Sequence, residues 1–234
     1  TIPLRQWIYG RQLLRGTVTL LIAPGATGKS ALVSGMAIAM ATGQPHLGQQ
    51  VWDRPQRVWV WNLEDDTDEL DRSLLAAALH WNVSESDLDN RLFRDSGLDG
   101  DGLCMASSDE KGTIIRPVTE ALARELKARE IDELIVDPFI SSHAVDENDN
   151  PAIDAIVKEW GRIATRIGCA IVLVHHTRKQ QTREVDAESS RGAKALVDGA
   201  RSVVALNRMS PDEADQFGIP EMERMRYFRA DAGA

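Results

Sequence analysis

Apolar residues along the chain occur either in short continuous runs or at helical spacing. Short runs bounded by polar residues predict buried strands at 18–22, 57–63, 133–137, 169–174 and 202–206. Apolar residues three or four positions apart predict helices over 68–80, 116–129, 151–167 and 192–200, and a further apolar helix ends before Gly43. Near-continuous apolar strands that alternate with helices are typical of parallel sheets. The pattern therefore predicts an α/β fold, with a mostly parallel, twisted sheet and helices on both faces.

One long segment departs from this alternation. Residues 82–112 are polar, rich in Asp, Ser and Gly, and show little periodicity. We interpret the segment as a variable insertion or an edge hairpin. The 234 residues with 43% hydrophobic composition are enough for one large core, so we expect residues 1–234 to form a single domain. The chain begins with Thr and ends without a helix-stop signal, and we expect it to be an excerpt of a longer chain.

The first predicted strand runs into a glycine-containing turn that precedes the apolar helix. The turn APGATGKS at 23–30 departs from the phosphate-binding pattern GxxxxGK[ST] only at Ala23. In such a loop, backbone N–H groups approach the phosphates, Lys29 reaches the β- and γ-phosphates and the Ser30 hydroxyl ligates Mg²⁺. The alternative is a glycine turn that closes an ordinary strand–helix unit. We predict that ATP binds to Pro24, Gly25, Ala26, Thr27, Gly28, Lys29, Ser30 and Ala31.

Two carboxylates follow other predicted strands. Because ligands bind at the carboxyl ends of parallel strands, we expect both to lie near the phosphate loop. Asp137 follows a buried strand, as a Walker B carboxylate that holds Mg²⁺ does; the alternative is an Asp that caps a turn. Pro138 follows Asp137, so no adjacent Glu is available to activate water. Glu64 ends the strand that follows the apolar helix after the phosphate loop, and we predict that it orients the attacking water. The alternative is a solvated surface carboxylate.

Histidine and arginine side chains supply two further candidates. His175 and His176 close the strand at 169–174, where either side chain is placed to sense the γ-phosphate; a packed histidine pair is the alternative. Arg201 lies where a helix turns into a strand and is the candidate arginine finger for the γ-phosphate of a neighbouring subunit. A surface or ion-paired arginine is the alternative there. The basic residues in 178–190 either contact nucleic-acid phosphates or belong to a solvated loop.

Charge and cysteine content limit the partners and the compartment. A formal net charge of −9 argues against a broad surface that coats nucleic acid, but it allows a local basic loop or channel. Two cysteines, Cys104 and Cys169, give neither a disulfide framework nor metal-ligand spacing. No apolar run reaches the roughly 18 residues of a membrane span. We therefore expect a cytoplasmic protein without a membrane partner.

Taken together, the motifs resemble those of RecA-like hexameric ATPases of the plasmid RepA helicase type, a group also found in phages and other mobile elements. The resemblance covers nearly the whole chain. It rests on APGATGKS at 23–30, ATGQP at 41–45, NLED at 62–65, IVDPF at 135–139, DENDN at 146–150, VHHTRK at 174–179 and RGAKALVDGAR at 191–201.

The resemblance implies a RecA-like P-loop fold and a role for each candidate residue. Lys29 and Ser30 would bind the nucleotide and Mg²⁺, and Asp137 would be the Walker B residue. Glu64 would be the catalytic carboxylate, His175 or His176 the sensor, and Arg201 the finger that acts across subunits. It also implies a homo-oligomeric, hexameric ring.

Two functions of different classes compete at this point. The first is an ATP-hydrolysing replication motor or DNA helicase that passes single-stranded DNA through a ring, with 178–190 as a candidate contact and replication proteins as further partners. The second is a RecA-like ATP-dependent switch or loader that acts through protein partners without unwinding. The acidic charge and the lack of aromatic residues in 178–190 favour the second slightly. A small-molecule kinase is the least favoured function, because such an enzyme needs an arginine-rich lid.

Overall fold

The computed structural model describes residues 2–25, 27–99, 102–109, 112–115, 118–177 and 194–233. The strands within these ranges are β1 (Trp7–Tyr9), β2 (Leu13–Leu14), β3 (Val18–Pro24), β4 (Val58–Asn62), β5 (Leu92–Ser96), β6 (Ala106–Asp109), β7 (Gly112–Ile115), β8 (Glu133–Asp137), β9 (Ala170–Thr177), β10 (Ser202–Arg208) and β11 (Phe228–Gly233). The helices are α1 (Lys29–Thr42), α2 (Thr67–His80), α3 (Glu85–Leu88), α4 (Val118–Ala128), α5 (Asn150–Ile167), α6 (Lys194–Gly199), α7 (Pro211–Phe217) and α8 (Glu221–Arg224), with a 3-10 helix at Phe139–Ser142.

A seven-stranded sheet forms the centre of the described structure, in the order β11-β10-β3-β9-β8-β4-β5. Neighbouring strands pair in parallel, except that β11 pairs antiparallel with β10. The predicted mostly parallel α/β fold is therefore confirmed. Because β3, β4, β8 and β9 all run in one direction, the residues that follow them meet at the same edge of the sheet.

The sheet is covered by helices on both faces, as its strand sequences require. Successive strand residues point to opposite faces, so Leu20 and Ile22 enter one apolar cluster and Leu21 and Ala23 enter the other. Helices α4, α5 and α6 pack on the first face, whereas α1 and α2 pack on the second. Strands buried on both faces read as continuous apolar runs, which explains why the central strands were predictable from sequence.

Several elements differ from the sequence prediction, among them the short helices α3, α7 and α8, which no pattern predicted. The segment 82–112 does include a hairpin strand, β6, but it also contributes β5, a parallel edge strand of the main sheet. The sequence pattern predicts 202–206 as the final strand, which is wrong, because β11 follows it and forms the edge of the sheet opposite β5. The N-terminal residues, for which no element was predicted, form the small β1–β2 hairpin.

A buried carboxylate ties several segments together at the end of the sheet away from the phosphate loop. Asp132, directly before β8, is 3% exposed and accepts two hydrogen bonds from the Arg54 guanidinium, at 2.8 and 2.9 Å. It also pairs with Arg15 at 2.7 Å and accepts the Arg57 backbone N–H at 2.8 Å. The N-terminal segment, the loop before β4 and the start of β8 are thus held by one side chain.

The two cysteines lie in different environments. Cys169 is fully buried before β9, and burial raises the pKa of its thiol to about 12. Cys104 is partly exposed in the segment that leads into β6. The residue after it, Met105, donates its backbone N–H to the Ser142 carbonyl at 2.7 Å, so this segment is anchored to the 3-10 helix that follows β8.

Among the described residues, no helix combines the length and the apolar character needed to cross a membrane.

Candidate functional site

The phosphate-binding turn is built where β3 meets α1. Gly28 is the N-cap of α1, with φ 97° and ψ 21°, a left-handed conformation that favours glycine. Thr27 Oγ1 donates to the Pro24 carbonyl at 2.6 Å and closes the turn. Ala23, the one departure from the motif, is a buried residue of β3 that pairs with His176, so this position does not need glycine.

Lys29 is a buried cation at the centre of this turn. Its side chain is 5% exposed and its Nζ donates to the Pro24 carbonyl at 3.4 Å. Burial lowers the pKa of Lys29, while the charges of Asp137 and Glu64 act in the opposite direction. Both predicted carboxylates are therefore within electrostatic reach of the lysine that is predicted to bind phosphate.

Ser30 and Asp137 line a common cavity of about 120 Å³. Asn62 and Asp65, whose side chains carry oxygen atoms, also line it. Burial raises the pKa of Asp137 to about 6; the charges of Glu64 and Asp65 also raise it, whereas Lys29 lowers it. Hard divalent cations such as Mg²⁺ prefer oxygen ligands, and the negative charge of the buried Asp137 carboxylate is only partly balanced by Lys29. The residues therefore fit the predicted metal.

The loop after β4 is organised by Asn62, which sequence analysis did not single out. Asn62 Oδ1 accepts the backbone N–H groups of Glu64 and Asp65, both at 2.8 Å, and Asn62 Nδ2 donates to Asp65 Oδ2 at 2.9 Å. Asp66 instead caps α2 by accepting the Glu69 backbone N–H at 2.8 Å. The three adjacent acids thus have separate surroundings: Glu64 is exposed, Asp65 faces the cavity and Asp66 caps a helix.

The histidine pair lies beside the phosphate loop. In the parallel pairing of β3 with β9, His175 is opposite Ile22 and His176 is opposite Ala23. Burial, followed by the charges of His176, His143 and Lys29, lowers the pKa of His175 to about 4. Burial and Lys29 lower the pKa of His176, whereas Glu64 raises it. His175 is therefore neutral near pH 7.

His143, for which the sequence predicts no role, lies near His175 and acts on it electrostatically. It is 8% exposed, its ring lies edge-on to Phe139 with centroids 4.8 Å apart, and its Nδ1 accepts the Val145 backbone N–H at 3.4 Å. Burial lowers its pKa to about 4. No sequence pattern singles out His143, because it lies in a loop that is not part of any motif.

Arg201 lies at the opposite end of the strands from the phosphate loop, directly before β10. Its backbone N–H donates to the Val18 carbonyl at 2.8 Å, at the start of β3, whereas the phosphate loop follows the end of β3. At about 3.3 Å per strand residue the two ends are about 20 Å apart. The side chain is exposed, forms no ion pair with a described residue, and lines an open groove of about 910 Å³ that also contains Arg162. Arg201 therefore does not join the other candidates within one chain.

Two sets of predicted residues lie outside the described part of the chain. Ala26 is one, within the phosphate loop. The other is segment 178–190, the candidate contact for DNA.

Residues 1–182 of the chain match the AAA_25 family, described as an AAA domain. The chain belongs to this family. An AAA domain is a P-loop ATPase domain, which agrees with the phosphate loop and with the carboxylates at its edge. The matched span contains Lys29, Glu64, Asp137 and the histidine pair, whereas Arg201 lies beyond it. The protein is accordingly a nucleotide-binding ATPase of the AAA P-loop class.

Proposed function

We propose that the protein is a ring-forming ATPase motor of the RecA-like type, which couples ATP hydrolysis between subunits to movement along single-stranded DNA in the replication of a plasmid, phage or other mobile element. The observation that carries this proposal is that the candidate groups lie at the two opposite ends of the parallel strands. Lys29, Glu64 and Asp137 interact electrostatically at the carboxyl ends of the strands, and Arg201 is exposed at the other end. An arginine in that position has use in hydrolysis only if a second copy brings its nucleotide to it.

Each residue at the phosphate-loop edge has a defined task in this mechanism. Lys29 and the backbone N–H groups of the turn bind the β- and γ-phosphate oxygens. Ser30 and Asp137 would hold Mg²⁺, which when bound neutralises charge on the same oxygens. His175 or His176, as a neutral imidazole, donates a hydrogen bond to the γ-phosphate.

Hydrolysis itself needs a positioned water. Glu64 orients the water so that its oxygen attacks the γ-phosphorus, while the bond from that phosphorus to the bridging oxygen of ADP breaks. The water proton passes to Glu64 and from there to the released phosphate. Arg201 of a neighbouring copy stabilises the negative charge that accumulates on the transferred group. Hydrolysis is then tied to the contact between two copies.

The proposed DNA contact is the segment 178–190. It carries Arg178, Lys179 and Arg183 after β9, the strand that contains the histidine pair near its end. A segment in this position couples the state of the γ-phosphate to whatever it binds. Because the whole chain has a net charge of −9, single-stranded DNA would be held by the local group of Arg178, Lys179 and Arg183 and not by the general surface.

The rival function is a switch or loader that responds to ATP by binding a protein partner. Segment 178–190 contains no aromatic residue on which a base would stack, which favours this rival. The discriminating experiment measures steady-state ATP hydrolysis with and without single-stranded DNA, on protein whose molar mass is recorded by light scattering at the same concentration. DNA-stimulated hydrolysis by a ring-sized species supports the motor. Unstimulated hydrolysis by a species of the same size supports the switch or loader.

A further inference from the structure

A second, largely apolar cavity lies beside the phosphate loop on the α1 face of the sheet. It has a volume of about 210 Å³ and is enclosed by the sheet, α1, the β1–β2 hairpin, the loop after α1 and β11. Leu32 and Met36 of α1 and Phe228 of β11 provide much of its apolar wall. Tyr9, Gln12 and Gln49 supply polar groups. None of these residues has a task in the hydrolysis site described above.

The cavity lies close to the phosphate loop, along one face of α1. Gly28, Leu32 and Met36 are four positions apart and therefore share a helix face. A Cβ placed on Gly28 would lie 3.6 Å from Phe228 Cε1, so the Phe228 ring borders the turn itself. Leu32 lies about 6 Å further along the helix axis. The cavity therefore begins about one helical turn beyond the residue that caps the phosphate-binding helix.

The chemistry of the wall suits a flat heteroaromatic ring. Phe228 and the aliphatic side chains offer stacking and apolar contact. Tyr9 is 1% exposed, and its hydroxyl has no hydrogen-bond partner among the described residues. A buried hydroxyl without a partner is costly, and a ring nitrogen or exocyclic amine would satisfy it. A purely aliphatic occupant would leave that hydroxyl unsatisfied.

We infer that this cavity is the nucleobase pocket of the ATPase: the base of a nucleoside triphosphate whose phosphates lie on Lys29 stacks on Phe228 and hydrogen-bonds to Tyr9. The inference rests on the proposed binding of a nucleoside triphosphate at the phosphate loop and adds the recognition of its base. Phe228 lies on β11, beyond the residues that match the family, so this chain's own C-terminal strand completes the pocket.

The test compares a ligand that has a base with one that has none. Dissociation constants are measured by calorimetry, with Mg²⁺, for ATP and for inorganic tripolyphosphate. Phe228→Ala is expected to weaken ATP binding about tenfold or more, because a base loses its stacking partner, and to leave tripolyphosphate binding unchanged. Phe228→Trp is expected to restore ATP affinity. Tyr227→Ala is the matched control, since Tyr227 is the adjacent aromatic residue and is 41% exposed.

Each outcome separates the pocket from the phosphate site. Equal ATP affinity in the parent and in Phe228→Ala overturns the pocket, and so does equal weakening of both ligands, which would mean that Phe228 only supports the loop. Failure of the parent to bind either ligand overturns the proposed nucleotide binding instead. Melting curves of every variant establish that it is folded. Tyr9→Phe, which removes only the hydroxyl, is expected to weaken ATP several-fold without changing tripolyphosphate binding, even if Phe228→Ala does not fold.

Discussion

At the scale of single residues, Glu64 and Asp66 make a clean comparison. Both are exposed carboxylates in one loop, but Glu64 acts electrostatically on Lys29 and Asp137, whereas Asp66 caps α2. We predict that Glu64→Gln lowers the ATP hydrolysis rate by about 10²- to 10⁴-fold, because the water loses its base, while nucleotide binding persists. Asp66→Asn keeps a capping oxygen and is expected to hydrolyse at the parent rate. Full activity of Glu64→Gln would assign the base to another group.

His143 provides a prediction about pH. Its pKa is lowered from 6.5 to about 4 in the folded protein, so folding favours the neutral ring. The free energy of unfolding should therefore be highest above pH 6.5 and fall as the pH decreases towards 4, by up to about 3 kcal/mol from this residue. His143→Asn offers Oδ1 to the Val145 N–H and does not titrate.

The measurement is urea unfolding of the parent and of His143→Asn between pH 4 and pH 7.5. The variant should show a shallower loss of stability, although not a flat profile, because the pKa of the neighbouring His175 is also lowered to about 4. Parallel profiles for the two proteins would show that His143 does not contribute to the pH dependence.

At the scale of secondary-structure elements, Asp132 joins segments that are distant in sequence. Asp132→Asn removes the charge that Arg15 and Arg54 share, and we predict a loss of about 3 kcal/mol in the free energy of unfolding. Asp154→Asn is the control, because Asp154 pairs with Lys158 on the exposed face of α5 and should change stability by roughly 0.5 kcal/mol or less. Chemical denaturation at pH 7 compares them. Similar small losses would mean that the buried network adds nothing beyond a surface pair.

The sequence predicted central elements better than peripheral ones, for a physical reason. β3, β8 and β9 are covered on both faces, so each contains a continuous run of at least three apolar residues that stands out from its surroundings. β5 and β11 are edge strands whose sequences, LFRDS and FRADAG, mix apolar, charged and small residues. Their pairing depends on the rest of the sheet being in place, which no local pattern reports.

At the scale of the whole molecule, the sequence predicted which groups follow strands but not all their neighbours. Parallel topology alone brings Lys29, Asp137 and Glu64 within electrostatic reach, and the structure agrees. The roles of these residues stay predictions. Asn62 and His143 were missed because their importance lies in contacts with loops folded around the site, and the spacing of residues along the chain does not encode such contacts.

Because Lys29 and Arg201 lie at opposite ends of the strands, mixtures of two inactive variants should regain activity. Arg201→Ala should bind ATP but lose hydrolysis, and Lys29→Ala should lose nucleotide binding, so neither is active alone. Mixed together, the two variants form contacts in which an intact phosphate loop meets an intact Arg201, and part of the hydrolysis rate should return. ATP hydrolysis is measured across mixing ratios at constant total protein.

The control for this mixture is Arg162→Ala. Arg162 lines the same groove as Arg201, but it is paired with Glu159 at 2.9 Å, and its loss should leave hydrolysis near the parent rate. A fully active Arg201→Ala variant would remove the finger assignment. If the mixture hydrolyses ATP no faster than the sum of the two separate variants, hydrolysis across subunits is contradicted.

The unequal burial of the two cysteines has a practical consequence. With the Cys169 thiol sealed in the core, a maleimide dye applied at neutral pH should attach at Cys104 alone, without any engineered residue. The neighbouring Met105 is bonded to Ser142, a few residues after Asp137. The sequence thus allows one dye to be attached beside the segment that follows Asp137 without any substitution, so that a change in its fluorescence on addition of ATP would report on that segment in real time.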